Sequence, residues 1–351
     1  MENIFARRLK SARLMAGLSM QKLSDLIDKK ISKQSISKYE KGAMKPDSEL
    51  LIKFSKALKV KPDYFFRPFE IKLEKVDFRK KCSLSQKEIK SINEKSKDFL
   101  ERYIEIEQHL GINQKFKNPI GKIQINKLDD IEHAVLELRK EWKLGLNPLS
   151  NIFEMLENKG FKIFEIKASK SFDGLSSIIG DTLAMLVINE ITDILRRRFT
   201  ILHELGHILL QLPKDCSKKE IEHYCNYFAG SFLIPKQVLI SELGIKRNKV
   251  ILKELIEIKE YYGISLQALV YRARELNIIS EQSTKRFWRF IKSSPEKQKE
   301  IGLGEYKGKE KSQRFNQLLY RAYAEQIISQ SRVAELLNTT LPLIKQNLQS
   351  I

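Results

Sequence analysis

"RRRFTILHELGHILLQ", Arg196 to Gln211, is the stretch on which the whole chain turns. It holds two of the chain's five histidines, four positions apart with a glutamate between them. On an α-helix, positions i and i+4 share a face about one turn apart, so His203 and His207 can aim their imidazoles at one point. Glu204 is rotated by about 100° from His203, which lets it reach a metal-bound water without being a ligand itself. The competing interpretation is the inner face of an ordinary buried helix.

Two histidines do not complete a catalytic metal site; a third protein ligand is needed, with one position left open. Ser217 and Glu220 form an S-x-x-E capping box that predicts the start of the next helix and puts Glu222 in its early turns. The short "LPKDCS" connection can fold that helix back antiparallel, bringing Glu222 against the histidine pair. Asn226, one turn further, shares its face and can hold a carboxylate or a backbone group beside the ligands. His223 is the substitute for Glu222, and Asp215 in the loop is a third choice. Cys216 and Cys225 lack C-x-x-C spacing, and Cys225 fits a small buried residue. One Zn2+ per chain suits two imidazoles and a carboxylate, and such a metal acidifies the water it binds.

"RRRFTILHELGHILL" followed by "EHYCNYFAGSFLIP" resembles the ImmA/IrrE metallopeptidases, with Cys225 in place of the family's usual alanine. "FDGLSSIIGDTLAMLVIN" and "YYGISLQALVYRARELNII" are similar to the flanking family segments, so the resemblance covers about residues 130–280. It implies that His203, His207 and Glu222 are zinc ligands and Glu204 the general base. It also implies cleavage of a specific repressor protein.

The chain has 351 residues and a formal net charge of +20, of which +9 falls in residues 1–61. So basic a first segment is the electrostatic footprint of a nucleic-acid module. There, "LSMQKLSDLIDKKISKQSISKYEKG" and "KPDSELLIKFSKALKV" resemble the XRE-type helix-turn-helix of phage repressors. Ser32 is a good N-cap for a helix that turns Ile36 and Tyr39 inward. Ser32, Lys33, Gln34, Ser35, Ser37 and Lys38 are the candidate contacts to double-stranded DNA, since short polar, Gln and Lys side chains reach both base edges and phosphates. Met20 stands where the family usually has a DNA-touching glutamine, and "IDKKIS" is longer than the usual turn. A lone domain of this size binds weakly and is expected to form a homodimer.

Periodicity predicts a mainly α chain, α+β overall, in four parts, a helical bundle at 1–68, a helical connector at 69–128, a mixed α and β domain at 129–280 and a helical region at 281–351; the resemblances imply that the first is a helix-turn-helix bundle and the third a zincin-like metallopeptidase domain. The connector is dominated by one long helix with Ile89, Ile92, Phe99, Tyr103 and Leu110 on one side and Gly111 as its stop. "FKIFEIKA", "GLSSIIG" and "TLAMLVIN", punctuated by Asp-Gly and Gly-Asp, predict a small antiparallel sheet. Near the end, "AEQIISQSRVAELLNTTLPLIKQNL" resembles a second helix-turn-helix. With little room for supporting helices, it is expected to be a hairpin docked on the peptidase domain or on a partner.

Three cysteines and no leader pattern suit a reducing cytoplasm, and the lack of a long apolar run excludes a membrane span and predicts a soluble protein. Together these features predict a cytoplasmic, DNA-binding regulator fused to a zinc peptidase acting on a protein substrate or partner regulator. The alternative is a non-proteolytic repressor or antitoxin whose peptidase-like domain senses metal or binds a partner. A purely structural zinc is a third possibility to be separated by chelation.

Overall fold

The computed structural model describes residues 3–27, 31–68, 84–180 and 182–348, in two compact units. Lys115–Ser312 form one, and Met1–Gln114 with Gln313–Ile351 form the other. Among the described residues no helix is long and apolar enough to cross a membrane.

In the unit that contains the N-terminus, α1 (Ile4–Met15), α2 (Met20–Leu26), α3 (Lys33–Glu40) and α4 (Ser48–Leu58) are each opened by an oxygen-bearing side chain: Asn3, Ser19, Ser32 and Asp47. These accept from otherwise orphaned backbone N–H groups and fix where each helix begins. Phe5, Leu9, Leu23, Ile36, Phe54 and Phe65 close into one apolar core. A bidentate pair from Arg13 Nε and Nη2 to the Glu40 carboxylate, 2.5 and 2.8 Å, locks α1 to the end of α3. The long helix α5 (Gln86–His109) opens with a Ser85–Glu88 capping box and ends before Gly111, whose φ of +65° needs a residue free to adopt the left-handed region. It packs on α1 through buried Arg8, which donates to Glu101 Oε2 at 2.7 Å and to the carbonyls of Arg67 and Pro68.

The second unit runs through α6 (Leu128–Glu141), α7 (Ile152–Asn158), β1 (Phe161–Ile166), β2 (Gly174–Ile179), β3 (Leu183–Asn189), α8 (Ile194–Leu209), α9 (Lys218–Leu233), α10 (Lys236–Leu243), α11 (Leu252–Tyr262), α12 (Leu266–Glu275), α13 (Glu281–Ile291) and the single turn α14 (Pro295–Gln298). The sheet corrects the expected all-antiparallel arrangement: its order is β1-β3-β2, with β1 parallel and β2 antiparallel to β3. The turn signals mark where strands end but not which strands pair. The connection after β1 carries the chain past the place that β3 later fills, and only the last strand, buried along nearly its whole length, suits the centre. β2 is left as an edge strand lying against α8.

Three further helices, α15 (Arg314–Ala324), α16 (Gln330–Leu336) and α17 (Leu341–Asn347), return to the first unit. Phe315 meets Phe99 of α5 edge to face and stacks on Tyr103, with ring centroids 5.1 and 5.5 Å apart, and Arg332 Nε donates to Glu105 at 3.0 Å. The terminal hairpin therefore rests on α5, within its own unit, where Phe99 and Tyr103 are buried.

Candidate metal centre and DNA-reading helix

Helix α8 carries the histidines at a fixed depth because its first turns are anchored. Asp193 caps its N-terminus by accepting from Arg196 N at 3.0 Å, and Asn118 Nδ2 satisfies the carbonyl of Leu209 at its other end. Between them Arg198 is fully buried: it donates to the carbonyls of Gly263 and Leu149 at 2.9 and 2.8 Å and pairs with the equally buried Glu310. Burial pushes the Glu310 carboxyl above its usual range, against the pull of Arg198.

The Ser217–Glu220 capping box opens α9, which folds back against α8. Gly206 lets the two approach: a Cβ there would lie 3.3 Å from Cys225 Cα and from Phe228 Cδ1. That close contact brings the α9 side chains to the histidines. His203 Nε2 and His207 Nε2 are 3.1 Å apart, and the Glu222 carboxylate lies 3.3 Å from the first and 3.4 Å from the second. A small tetrahedral cation with ligand bonds of about 2.0–2.1 Å separates its ligand atoms by about 3.3–3.4 Å. The two histidine–carboxylate separations, one to each Glu222 oxygen, match that figure, and the separation of the two imidazole nitrogens is slightly shorter.

The tautomers fit as well. His203 Nδ1 lies 2.7 Å from Asn226 Oδ1, an acceptor only, so Nδ1 carries the proton and Nε2 presents its lone pair. His207 Nδ1 lies 3.3 Å from Cys225 Sγ, which can accept in the same sense. Two imidazole lone pairs facing each other at this distance repel unless a proton or a metal ion sits between them. The donor set therefore fits a metal.

The Glu204 carboxylate also belongs to the cluster, its ligand atom and those of both histidines lying within 4.8 Å of one another. Glu222 and Glu204 differ in setting. Glu204 is 2% exposed and accepts from Ser176 Oγ of β2 at 2.9 Å, whereas the Glu222 side chain is 45% exposed and touches both histidines. Glu204 is thus held beside the pair and Glu222 across it, on the solvent side. His223 and Asp215 do not join them: His223 faces Glu275 at 3.7 Å, and Asp215 is exposed in the connection. Burial pushes the Glu275 carboxyl up to about 7, with Arg272 opposing.

Ser176 is a site residue that helical spacing could not reveal. Its signal is the serine pair in "GLSSIIG", Ser176 and Ser177 both buried in an otherwise apolar strand. Gly174, two residues earlier, keeps β2 against α8, because a Cβ there would stand 2.9 Å from Thr200 Cγ2. Arg198 lies inside the motif, yet no local signal assigns it a task, its partners being 49 to 112 residues away.

In the other unit, Ser32 caps α3 by accepting from Ser35 N at 3.1 Å. Ser32, Lys33, Gln34 and Lys38 are exposed, Ser35 and Ser37 half-buried, and Ile36 and Tyr39 buried. Met20 packs partly buried on the core of this unit. Part of the long turn, residues 28–30, and Cys82 lie outside the described residues.

Residues 9–65 match the helix-turn-helix family, and residues 157–274 match the IrrE N-terminal-like domain, a peptidase family. No curated protein matches the chain. The capped α3 with its polar outer row falls inside the first match, and α8, α9 and the three strands fall inside the second. The chain is therefore a fusion of an XRE-type helix-turn-helix DNA-binding domain with an ImmA/IrrE-like peptidase domain, a DNA-binding regulator carrying a peptidase-like unit.

Proposed function

We propose that the peptidase-like unit is a zinc-dependent endopeptidase that cuts a specific repressor-type protein, and that the helix-turn-helix delivers it to DNA. The observation that carries this reading is the convergence of two imidazole Nε2 atoms and one carboxylate at 3.1–3.4 Å, with a second carboxylate held separately. His203, His207 and Glu222 would hold the metal. When bound there, zinc supplies Lewis acidity that polarises a carbonyl and lowers the pKa of water.

The chain's own residues do the remaining work. Glu204, kept in place by the Ser176 hydroxyl, takes the proton from the attacking water and returns it to the amine as the peptide bond breaks. Asn226 and Cys225 fix the imidazole tautomers, so that both Nε2 atoms stay available. β2, an edge strand whose Ser176 touches the general base, can take an extended substrate segment by strand addition. In α3, Ser32, Lys33, Gln34, Ser35, Ser37 and Lys38 supply phosphate and base contacts, and binding to DNA raises the effective concentration of the peptidase near DNA-bound proteins.

Glu204→Gln tests the mechanism. The variant should keep its metal and lose cleavage by about a hundredfold to ten-thousandfold. Cleavage at the wild-type rate would reject Glu204 as the base. No cleavage by wild type of any DNA-bound repressor, together with metal-dependent DNA affinity, would leave a metal-sensing regulator instead.

A further inference from the structure

The terminal helices α16 and α17 are joined by a shorter turn, residues 337–340, than α2 and α3, which are joined by residues 27–32. Ala334 on α16 is fully buried, which lets α17 close upon it. Four residues on, Asn338 takes φ +51° in the turn, a left-handed position that asparagine tolerates and that helix-turn-helix turns often fill with glycine. Six residues later Ile344 of α17 is buried against the pair. The N-terminal pair has its buried small residue, Ser24, twelve positions before its buried Ile36, because its turn is longer.

A helix pair of this kind needs a third support, and the structure provides it. Phe315, Leu318, Leu319 and Ala322 of α15 complete the core, and α5 backs them through the Phe99, Tyr103 and Phe315 rings and through Arg102, which donates to the Leu336 carbonyl. A hairpin short of supporting helices is a poor DNA reader; with α15 and α5 beneath it, this one is held firmly enough to read.

The outer face is what distinguishes possible partners. Thr340, Pro342, Leu343, Lys345 and Gln346 are exposed, with Leu343 at 48%, and α17 contains no acidic residue. Glu335 of α16 is taken up by Arg332 at 2.8 Å. Lys and Thr suit phosphates, Gln pairs with adenine edges, and an exposed leucine suits a thymine methyl. The same compact unit holds the N-terminal helix-turn-helix, so DNA bound by the first is already close to the second. From this we infer that α16 and α17 form a second DNA-contacting helix-turn-helix, with α17 as its reading helix, and that the regulator recognises a two-part site through one chain.

The test is selection of binding sites from a random-sequence duplex pool by the intact chain, run for wild type, a Lys33→Ala/Gln34→Ala variant and a Lys345→Ala/Gln346→Ala variant. Wild type should recover two separate blocks of preferred sequence. The Lys345/Gln346 variant should keep one block and lose preference at the other on the order of tenfold to a hundredfold, and the Lys33/Gln34 variant should show the reverse pattern. Retention of its first block also shows that the Lys345/Gln346 variant is folded. A single block in wild type, or the same two blocks at unchanged affinity in the Lys345/Gln346 variant, overturns the proposal. So does a Lys345/Gln346 variant that binds DNA normally and fails only to hold a protein partner. If the Lys33/Gln34 variant alone is unchanged, the assignment of α3 fails and that of α17 stands.

Discussion

The pair α8–α9 and the helix α3 use polar side chains in opposite ways. His203 and Glu204 are almost completely buried, and each is held by a partner from another element, Asn226 in one case and Ser176 in the other. On α3, Lys33, Gln34 and Lys38 are exposed, and the helix is fixed from behind by its Ser32 cap, its buried Ile36 and Tyr39 and the Arg13–Glu40 pair at its end. The contrast follows from the work each does. Proton transfer and metal binding need groups held to a fraction of an ångström, whereas reading DNA needs long side chains free to meet a partner that supplies its own rigidity.

Single substitutions can overturn this contrast at several points. Among the changes outside the ligand set, Asn226→Ala should cost metal affinity the most, because it frees the His203 ring: the affinity should fall by about tenfold to a hundredfold in a chelator competition. Unchanged affinity would mean that the 2.7 Å contact does not orient the ring. Removing Lys33 or Lys38 should act smoothly by comparison. Each alanine should weaken DNA binding and flatten the dependence of log K on log salt by about 0.9, while metal content stays the same. A loss of metal in either variant would mean that the two regions are energetically coupled and not independent.

The smallest effect belongs to Glu275, beside His223. Its carboxyl titrates near 7 in the folded chain instead of at the usual 4.5, because burial disfavours its charged form. The folded state bears no penalty below about pH 4.5, an increasing one as pH rises, and the full one above about 7. Partial exposure keeps it small. Glu275→Gln should therefore gain thermal stability over wild type, on the order of 2 °C, at pH 8 and not at pH 4. Parallel melting curves across that range would contradict the burial argument.

The same contrast governs how much the chain's sequence discloses. Local chemistry is legible: His203 and His207 share a face through helical spacing, Ser217 and Glu220 announce α9, and Ser32 announces α3. What joins elements is much less so. Nothing near Glu204 points to Ser176, 28 residues earlier, because that pairing depends on which strand becomes the edge of the sheet. β3 takes the central position through tertiary burial, which turn signals do not encode. The rest of the terminal hairpin's setting comes from α5, and Arg332 meets Glu105 across 227 residues of chain.

Whether "HELGH" and Glu222 together make one metal site is decided most directly by elemental analysis of the purified intact chain, with wild type measured beside His203→Ala and Glu222→Ala. About one zinc per chain in wild type, lost in both variants, is the predicted result. Wild-type protein that takes up no metal when zinc is supplied, or a Glu222→Ala variant that binds zinc as wild type does, would refute the site.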